Sequence, residues 1–313
     1  MIVWGINALN HGSSLTVFSG GHLVIHEACS SDELDPDLIL RAFNYGGPDQ
    51  IYWYERPWLK KGRQLVAGQF KRAFDLSVLP SSYLKSINVR YAPITYTPHH
   101  GSHAAAGYFT SPFKDAAVIV LDAIGEFECA SIWEAKGDKL KRVWGRDYPH
   151  SLGLFYSAFT DLIGLTPIKG EGTLQSMSDK GDPHRYFNDV KKYFNGPVIL
   201  NYNFHQGVLD WKHEIKSDQD RYDIAAAVQA VFEEQIVCVN TIARNSIDSR
   251  NLVYMGGCAF NSKANRLIED KWKNVWSLPN PGDATSSLGA VLYHTKQRVE
   301  LKDGVAKHIQ IKV

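Results

Sequence analysis

Apolar positions along this chain fall in short runs separated by turn residues, and the same order of runs occurs twice. Ile2-Val3-Trp4-Gly5-Ile6 has the pattern of a buried strand, polar Asn7 to Ser13 follows, and a second run spans Ser14 to Phe18. A Gly20-Gly21 pair then leads into His22 to His26. Two runs joined by paired glycines signal a hairpin, so this opening predicts a three-strand meander. Ala116 to Leu121, Ala130 to Glu134 after a turn containing Gly125, and Lys141 to Trp144 after Gly137-Asp138 repeat the plan. A further strand is expected in each half, at Gln50 to Tyr54 and at Leu252 to Met255. Such duplication predicts two related α/β lobes around a cleft, with boundaries at 1–113 and 114–313.

Tyr222 to Arg244 is the clearest long helix. Ile224, Val228, Val231, Phe232, Ile236 and Val239 recur there at helical spacing, a stripe that belongs to a core. Between the second meander and this helix, Pro149 to Ser217 is rich in Gly, Asp, Lys and aromatics and is expected to form a polar insertion capping the cleft.

Composition adds bounds. A chain of 313 residues is long enough for two full cores. A formal charge of +1 gives no global drive toward nucleic acid or anionic membrane, although a local basic patch is compatible with it. Cys29, Cys129, Cys238 and Cys258 show no CxxC spacing, and the N-terminus lacks a charged segment followed by a long apolar run. These features predict a reducing, cytoplasmic setting. No apolar stretch approaches the ~20 residues of a membrane helix, so no membrane partner is expected.

The most informative motif is His99-His100-Gly101-Ser102-His103. His99 and His103 stand at helical i,i+4 spacing and can hold one metal ion between them, but the Glu of the metalloprotease motif is missing. Asp283, in Pro281-Gly282-Asp283-Ala284 before a predicted C-terminal helix, is the best distant carboxylate. Two His and one carboxylate with open positions suit iron(II), with manganese or magnesium as alternatives. The same letters also fit surface or capping histidines. Asp122 ends an apolar strand beside Gly125 and can reach a metal or phosphate in the cleft. Strand Asn251 to Met255, then Gly256-Gly257, then a helical run from Asn261 brings bare amides toward an anion, a nucleotide-site pattern that is neither GxGxxG nor a P-loop. Asn261 and Asn265 either bond a ribose or cap. Lys169-Gly170-Glu171-Gly172-Thr173 suits phosphate contact or an ordinary turn. No GxSxG elbow accompanies the serines, which sets aside a Ser–His–Asp hydrolase. Residues 52–74 interleave Trp53, Tyr54, Trp58, Phe70 and Phe74 with six cations, either a nucleic-acid platform or a solvated helix face over core aromatics.

Taken in order, Gly5-Ile6 through His11-Gly12-Ser13-Ser14, the His99 to His103 motif, Ser111-Pro112-Phe113 and Asp122 through Glu126 resemble the O-carbamoyltransferase family of nodulation-factor and antibiotic carbamoylation. So do Ser151 to Ser157, Gly170-Glu171, Gly181-Asp182-Pro183, Gly256-Gly257 with Asn261 and Asn265, and Asp283 before Leu288-Gly289-Ala290. The resemblance spans almost the whole chain. It implies an actin-like, Hsp70-like α/β fold of two RNase H-like lobes, and a reaction in which carbamoyl phosphate and ATP yield carbamoyl-adenylate, whose carbamoyl group passes to a hydroxyl. It implies His99, His103 and Asp283 as metal ligands. Gly125, Gly170, Glu171, Gly256, Gly257 and Asn261 would surround the nucleotide, and His11, His100 and Asp122 are the candidate catalytic groups, His11 as a base near the acceptor. The pattern departs at Gly12, Ala123 and Thr173, where the family carries Asp, Gly and Lys, and around Glu27 to Leu40, where a Lys-His segment is absent. Family members usually continue into a domain that makes carbamoyl-adenylate. The chain stops at Val313, so the expectation is either a separate adenylate-forming protein or a compact form that performs both steps. An altered acceptor region beside the aromatic, basic segment favours an unusual acceptor, 5-hydroxymethylcytosine in phage-type DNA. A sugar or antibiotic hydroxyl, and a non-catalytic nucleotide-binding module, are the alternatives.

Overall fold

The computed structural model describes residues 1–10, 12–89 and 92–301. His11 lies outside the described residues. Strands β1 (Ile2–Asn10), β2 (Gly12–Ser19), β3 (His22–Cys29), β4 (Gln50–Trp53) and β5 (Ile94–Tyr96) form one sheet in the order β3-β2-β1-β4-β5. Strands β6 (Asp115–Gly125), β7 (Glu128–Lys136), β8 (Lys139–Asp147), β9 (Asn251–Met255) and β10 (Asn274–Trp276) form the second, in the order β10-β9-β6-β7-β8. Each sheet is an antiparallel three-strand meander extended by two parallel strands, so the duplication read from the apolar runs is present in the chain's topology.

The helices are α1 (Pro36–Phe43), α2 (Pro57–Val66), α3 (Phe70–Phe74), α4 (Pro80–Ser86), α5 (His99–Thr110), α6 (Leu152–Leu162), α7 (Glu171–Met177), α8 (Phe187–Lys191), α9 (Asp218–Ser246), α10 (Ser262–Glu269) and α11 (Ser286–Thr295). Helix α9 begins ahead of the expected Tyr222 because Ser217 and Asp220 form a reciprocal capping box that satisfies the first free amides. Its apolar stripe is buried as expected.

Helices α5 and α11 pack on each other between the two sheets. Helix α5 covers β6, β7 and β9, while α11, from the far end of the chain, covers β1, β2 and β4. Their contact is too close for a side chain at one point: a Cβ on Gly289 would lie 1.8 Å from the Ser102 carbonyl oxygen. This packing fixes α5, and with it both metal-candidate histidines, at the junction of the lobes.

The segment 149–217 differs from the polar cap expected. It contains α6, α7 and α8, and its aromatics turn inward: Phe155, Phe159, Tyr193, Phe194 and Phe204 are buried in one core with Ile119, Ile132 and the α9 stripe. Each fully buried Phe contributes roughly 2–3 kcal/mol, and Leu152, Ile163, Leu174, Val190, Val198 and Leu200 of the same segment join that core. Among the described residues no helix is long and apolar enough to cross a membrane. The four cysteines are unpaired.

Candidate metal centre and nucleotide cleft

Helix α5 starts at His99, with Pro98 in extended conformation ahead of it, and one turn later presents His103 on the same face. Both imidazoles are buried, and their Nε2 atoms lie 3.1 Å apart. Two carboxylates arrive from other elements. Asp122 sits in β6 where pairing with β7 slips between Leu121 and Gly125, so its side chain leaves the ladder and reaches His99 Nε2 at 3.2 Å. Asp283 follows Gly282 in the turn before α11 and lies 3.3 Å from His99 Nε2 and 3.2 Å from His103 Nε2. One ligand atom from each of the four residues lies within 4.8 Å of all the others.

This donor set fits a divalent cation. Cis ligand atoms about 2.1 Å from a metal stand roughly 3 Å apart, close to the separations here. Asp283 Oδ1 has no hydrogen-bond donor, and the Nδ1 atoms of both rings are likewise buried without partners. The electrostatics call for positive charge at the centre. Burial opposes protonation of His99, but Asp283 and Asp122 overcome it and hold the ring well above its ordinary pKa. Burial pushes Asp122 up, yet the His99 contact and the neighbouring imidazoles bring it down to about 2. Asp122, expected to reach a metal or phosphate in the cleft, is therefore a fourth member of the metal-candidate group beside His99, His103 and Asp283, as well as a catalytic candidate.

His100 is placed elsewhere. One residue on from His99, it points about 100° around the helix. It is fully buried with Nδ1 2.7 Å from Ser131 Oγ, a hydroxyl that also accepts from Trp133 Nε1. Burial and the adjacent His99 lower its pKa well below the ordinary value. It lines neither cleft cavity, and its surroundings suit a neutral packing group rather than the catalytic role expected.

The cleft has two connected parts. A cavity of about 460 Å³ is walled by Asp122, Tyr156, Glu171, Gly257, Cys258 and Asn261, among others. A wider one, about 720 Å³, is walled by Asn10, Gly12, Asp122, Lys169, Gly257 and Asp283. Asp122 and Gly257 belong to both, and the Gly257 N–H donates to Asp122 Oδ1 at 3.2 Å. Gly256 makes this junction possible: its φ is +94°, and a Cβ would lie 2.2 Å from the Leu121 carbonyl oxygen.

The other expected nucleotide residues divide. Glu171 lines the smaller cavity, accepts from Ser157 Oγ at 2.6 Å, and keeps Oε2 buried without a partner. Asn261 lines it too, but its side chain is engaged, capping α10 through the Ala264 N–H and pairing with Gln229, which also accepts from Tyr156 Oη. Gly170 lies behind the wall, where a Cβ would meet Leu165 and Thr160. Gly125 faces the metal group instead: a Cβ there would lie 2.1 Å from His99 Cδ2. Its missing side chain makes room for a histidine, which glycine spacing alone does not distinguish from room for a phosphate.

Sequence reasoning missed two contacts. Tyr54 is buried with its ring edge-on to His99, centroids 5.4 Å apart. Glu126, buried at the β6–β7 turn, receives the backbone N–H and the guanidinium of Arg56, tying the start of α2 to the second sheet. Arg56 is thus withdrawn from the basic segment, as is Lys61, which donates to the Arg72 and Asp75 carbonyls at 2.7 and 2.5 Å. Lys71, Arg72, Trp58, Phe70 and Phe74 remain exposed.

Comparisons with known proteins agree with this architecture. Residues 53–292 match the family described as Carbamoyltransferase N-terminus. The chain is 30% identical to the uncharacterized protein sll1178 of Synechocystis, over 93% of this chain and 56% of that protein. It is 24% identical to the tRNA N6-adenosine threonylcarbamoyltransferase of Pelagibacter ubique, over 58% of this chain and 52% of that enzyme. The chain thus spans about half the length of these curated relatives. The activator of 2-hydroxyisocaproyl-CoA dehydratase from Clostridium difficile, solved with bound ADPNP, superposes with a TM-score of 0.52 at 14% identity, covering 97% of this chain and all of that one. The fold is the two-lobed α/β fold of the actin-like and Hsp70-like ATPases, and by the match over most of its length this chain belongs to the carbamoyltransferase N-terminus family.

Proposed function

We propose that this chain carries the transfer site of an O-carbamoyltransferase that uses carbamoyl phosphate and ATP through carbamoyl-adenylate. The observation that carries this reading is Asp122, which joins the imidazole pair through Oδ2 and the Gly256-Gly257 turn through Oδ1. A nucleotide with its phosphate at that turn would meet the four-residue centre directly. The bound ADPNP of the Clostridium difficile activator supports a nucleotide in a cleft of this fold, and the threonylcarbamoyl relative supports a carbamoyl group as cargo.

His99, His103, Asp122 and Asp283 would hold a divalent metal, iron(II) by the nature of the donors. When bound, it supplies Lewis-acid stabilisation of charge on phosphate and carbonyl oxygens. The chain's own groups hold the reactants. The Gly256-Gly257 turn would receive the phosphate, with the Gly257 N–H shared between it and Asp122 Oδ1, and the unpartnered Glu171 Oε2 would accept from a ribose hydroxyl. In the transfer the acceptor oxygen bonds to the carbamoyl carbon, the bond from that carbon to the phosphate oxygen breaks, and AMP leaves with the electron pair. The hydroxyl proton passes to a base, for which His11 is the candidate because its chain neighbours Asn10 and Gly12 wall the larger cavity.

The favoured acceptor is 5-hydroxymethylcytosine in DNA, supported by the exposed Trp58, Phe70, Lys71, Arg72 and Phe74 on α2 and α3. Hydroxymethylcytosine DNA incubated with the protein, carbamoyl phosphate, ATP and metal should gain the mass of a carbamoyl group. An unchanged base alongside a carbamoylated aminoglycoside would replace this acceptor with a sugar.

A further inference from the structure

A third cavity, about 300 Å³, lies under α2 and α3 and shares Asn10 and Asp32 with the wall of the metal cleft. Trp53, Glu55, Lys60, Lys61, Gln64 and Arg72 line it. Most of its charge is committed within the protein. Lys60 donates to the buried Glu55 at 2.7 Å, and Lys61 staples the turn after α3 through two carbonyls.

Asp32 and Asp75 also line it, the first accepting from the Gly12 N–H and the second from Ser77, which leaves two groups over. Gln64 is 7% exposed, yet its Oε1 is buried without a hydrogen-bond partner. Such an orphaned amide oxygen is costly to bury, and an incoming N–H donor would satisfy it. Arg72 makes no ion pair among the described residues, although its backbone is held by Lys61. The chamber therefore offers an apolar indole wall, one amide able to accept and donate side by side, and one guanidinium for an anion. That combination complements a nucleotide: a primary amide matches the adjacent amino donor and ring-nitrogen acceptor of cytosine, and a guanidinium matches phosphate. The volume suits one base, so a base within a duplex would have to be extruded to enter.

We propose that this chamber is the acceptor pocket, that it takes one pyrimidine nucleotide, and that Gln64 reads the polar edge of the base while Arg72 holds its phosphate. The inference rests on the carbamoyl-transfer reading, since the hydroxymethyl group would project through the Asn10 and Asp32 side into the cleft that holds the donor.

The test begins with binding. A single-stranded oligonucleotide carrying one 5-iodocytosine is photocrosslinked to the protein and the linked peptide identified by mass spectrometry. Crosslinks within 53–64 or 72–80, competed by the hydroxymethylcytosine oligonucleotide, are expected. Linkage elsewhere, or none, overturns the assignment. Titration with 5-hydroxymethyl-dCMP should then show at least a tenfold loss of affinity in Gln64→Leu, with an undiminished melting temperature showing that the variant folds. Unchanged binding in Gln64→Leu refutes the assignment. The two levels separate cleanly: crosslinking in the chamber without carbamoyl transfer would sink the transfer reading alone, and carbamoylated DNA with crosslinks elsewhere would sink the chamber alone.

Discussion

Replacing Gly125 by Ala should disrupt the candidate metal centre without touching any of its four candidate ligands. The added Cβ would lie 2.1 Å from His99 Cδ2, 2.5 Å from Cγ and 2.9 Å from Nε2, whereas ordinary contact begins at 3.4 Å. The ring must therefore shift by about 3.4 − 2.1 = 1.3 Å, and metal–ligand distances tolerate only about 0.2 Å. Retreat is blocked, because Tyr54 packs edge-on against the ring and His103 stands one helical turn away. Removal of a supporting group around a metal typically costs 10–100-fold in affinity, and displacing a ligand itself should cost at least that. Overpacking adds about 1–3 kcal/mol of destabilisation, so circular dichroism and melting accompany the measurement. Titration of wild type, Gly125→Ala and Gly47→Ala with manganese or iron(II) decides it, since a Cβ at Gly47 meets only Phe43, at 4.0 Å. Loss in Gly125→Ala and retention in Gly47→Ala is expected. A folded Gly125→Ala that binds metal like wild type would refute the reasoning.

Three further outcomes follow from other parts of the molecule. Gly256→Ala forces a side chain into positive φ and against the Leu121 carbonyl, so fluorescence titration should show at least tenfold weaker binding of ADPNP with metal content reduced less. His26, bonded to Thr16 Oγ1, is brought by burial from 6.5 to about 4. Its neutral form is the folded one, so its contribution is complete above pH 6.5 and is lost as pH falls toward 4. Urea unfolding across that range should show up to about 3 kcal/mol more acid loss in wild type than in His26→Gln, and parallel curves would refute it. Arg56→Ala leaves the Glu126 carboxylate buried without its guanidinium, which should lower stability by about 2 kcal/mol and be largely restored by Glu126→Gln in the same chain.

Four strands of each sheet were legible as short runs bounded by turn residues, a purely local signal, whereas β5 and β10, three residues each, left no run to read. The histidine pair was legible for the same reason, since helical spacing decides which residues share a face. That rule also separates His100 from its neighbours, one step around the helix from the His99 face. Long-range closeness was not legible. The role of Gly125 depends on a histidine from α5; that Asp122 could reach a metal was legible from its place at a strand end, but its closeness to His99 depends on a slip in pairing between β6 and β7 that composition does not announce. Asn261 left two readings, and the structure gives it the cap of α10. The aromatics of 149–217 looked like a wet insertion because the partners that bury them lie outside the segment, on β6, β7 and α9.

The measurement that bears most directly on the account is transfer from supplied carbamoyl-adenylate, which removes any dependence on how the donor is made. Wild-type protein loaded with metal should carbamoylate a hydroxymethylcytosine oligonucleotide, and His103→Ala and Asp283→Ala, folded by circular dichroism, should not. No transfer by wild type to any hydroxyl in a panel of DNA and aminoglycosides, or equal transfer by His103→Ala, would contradict it.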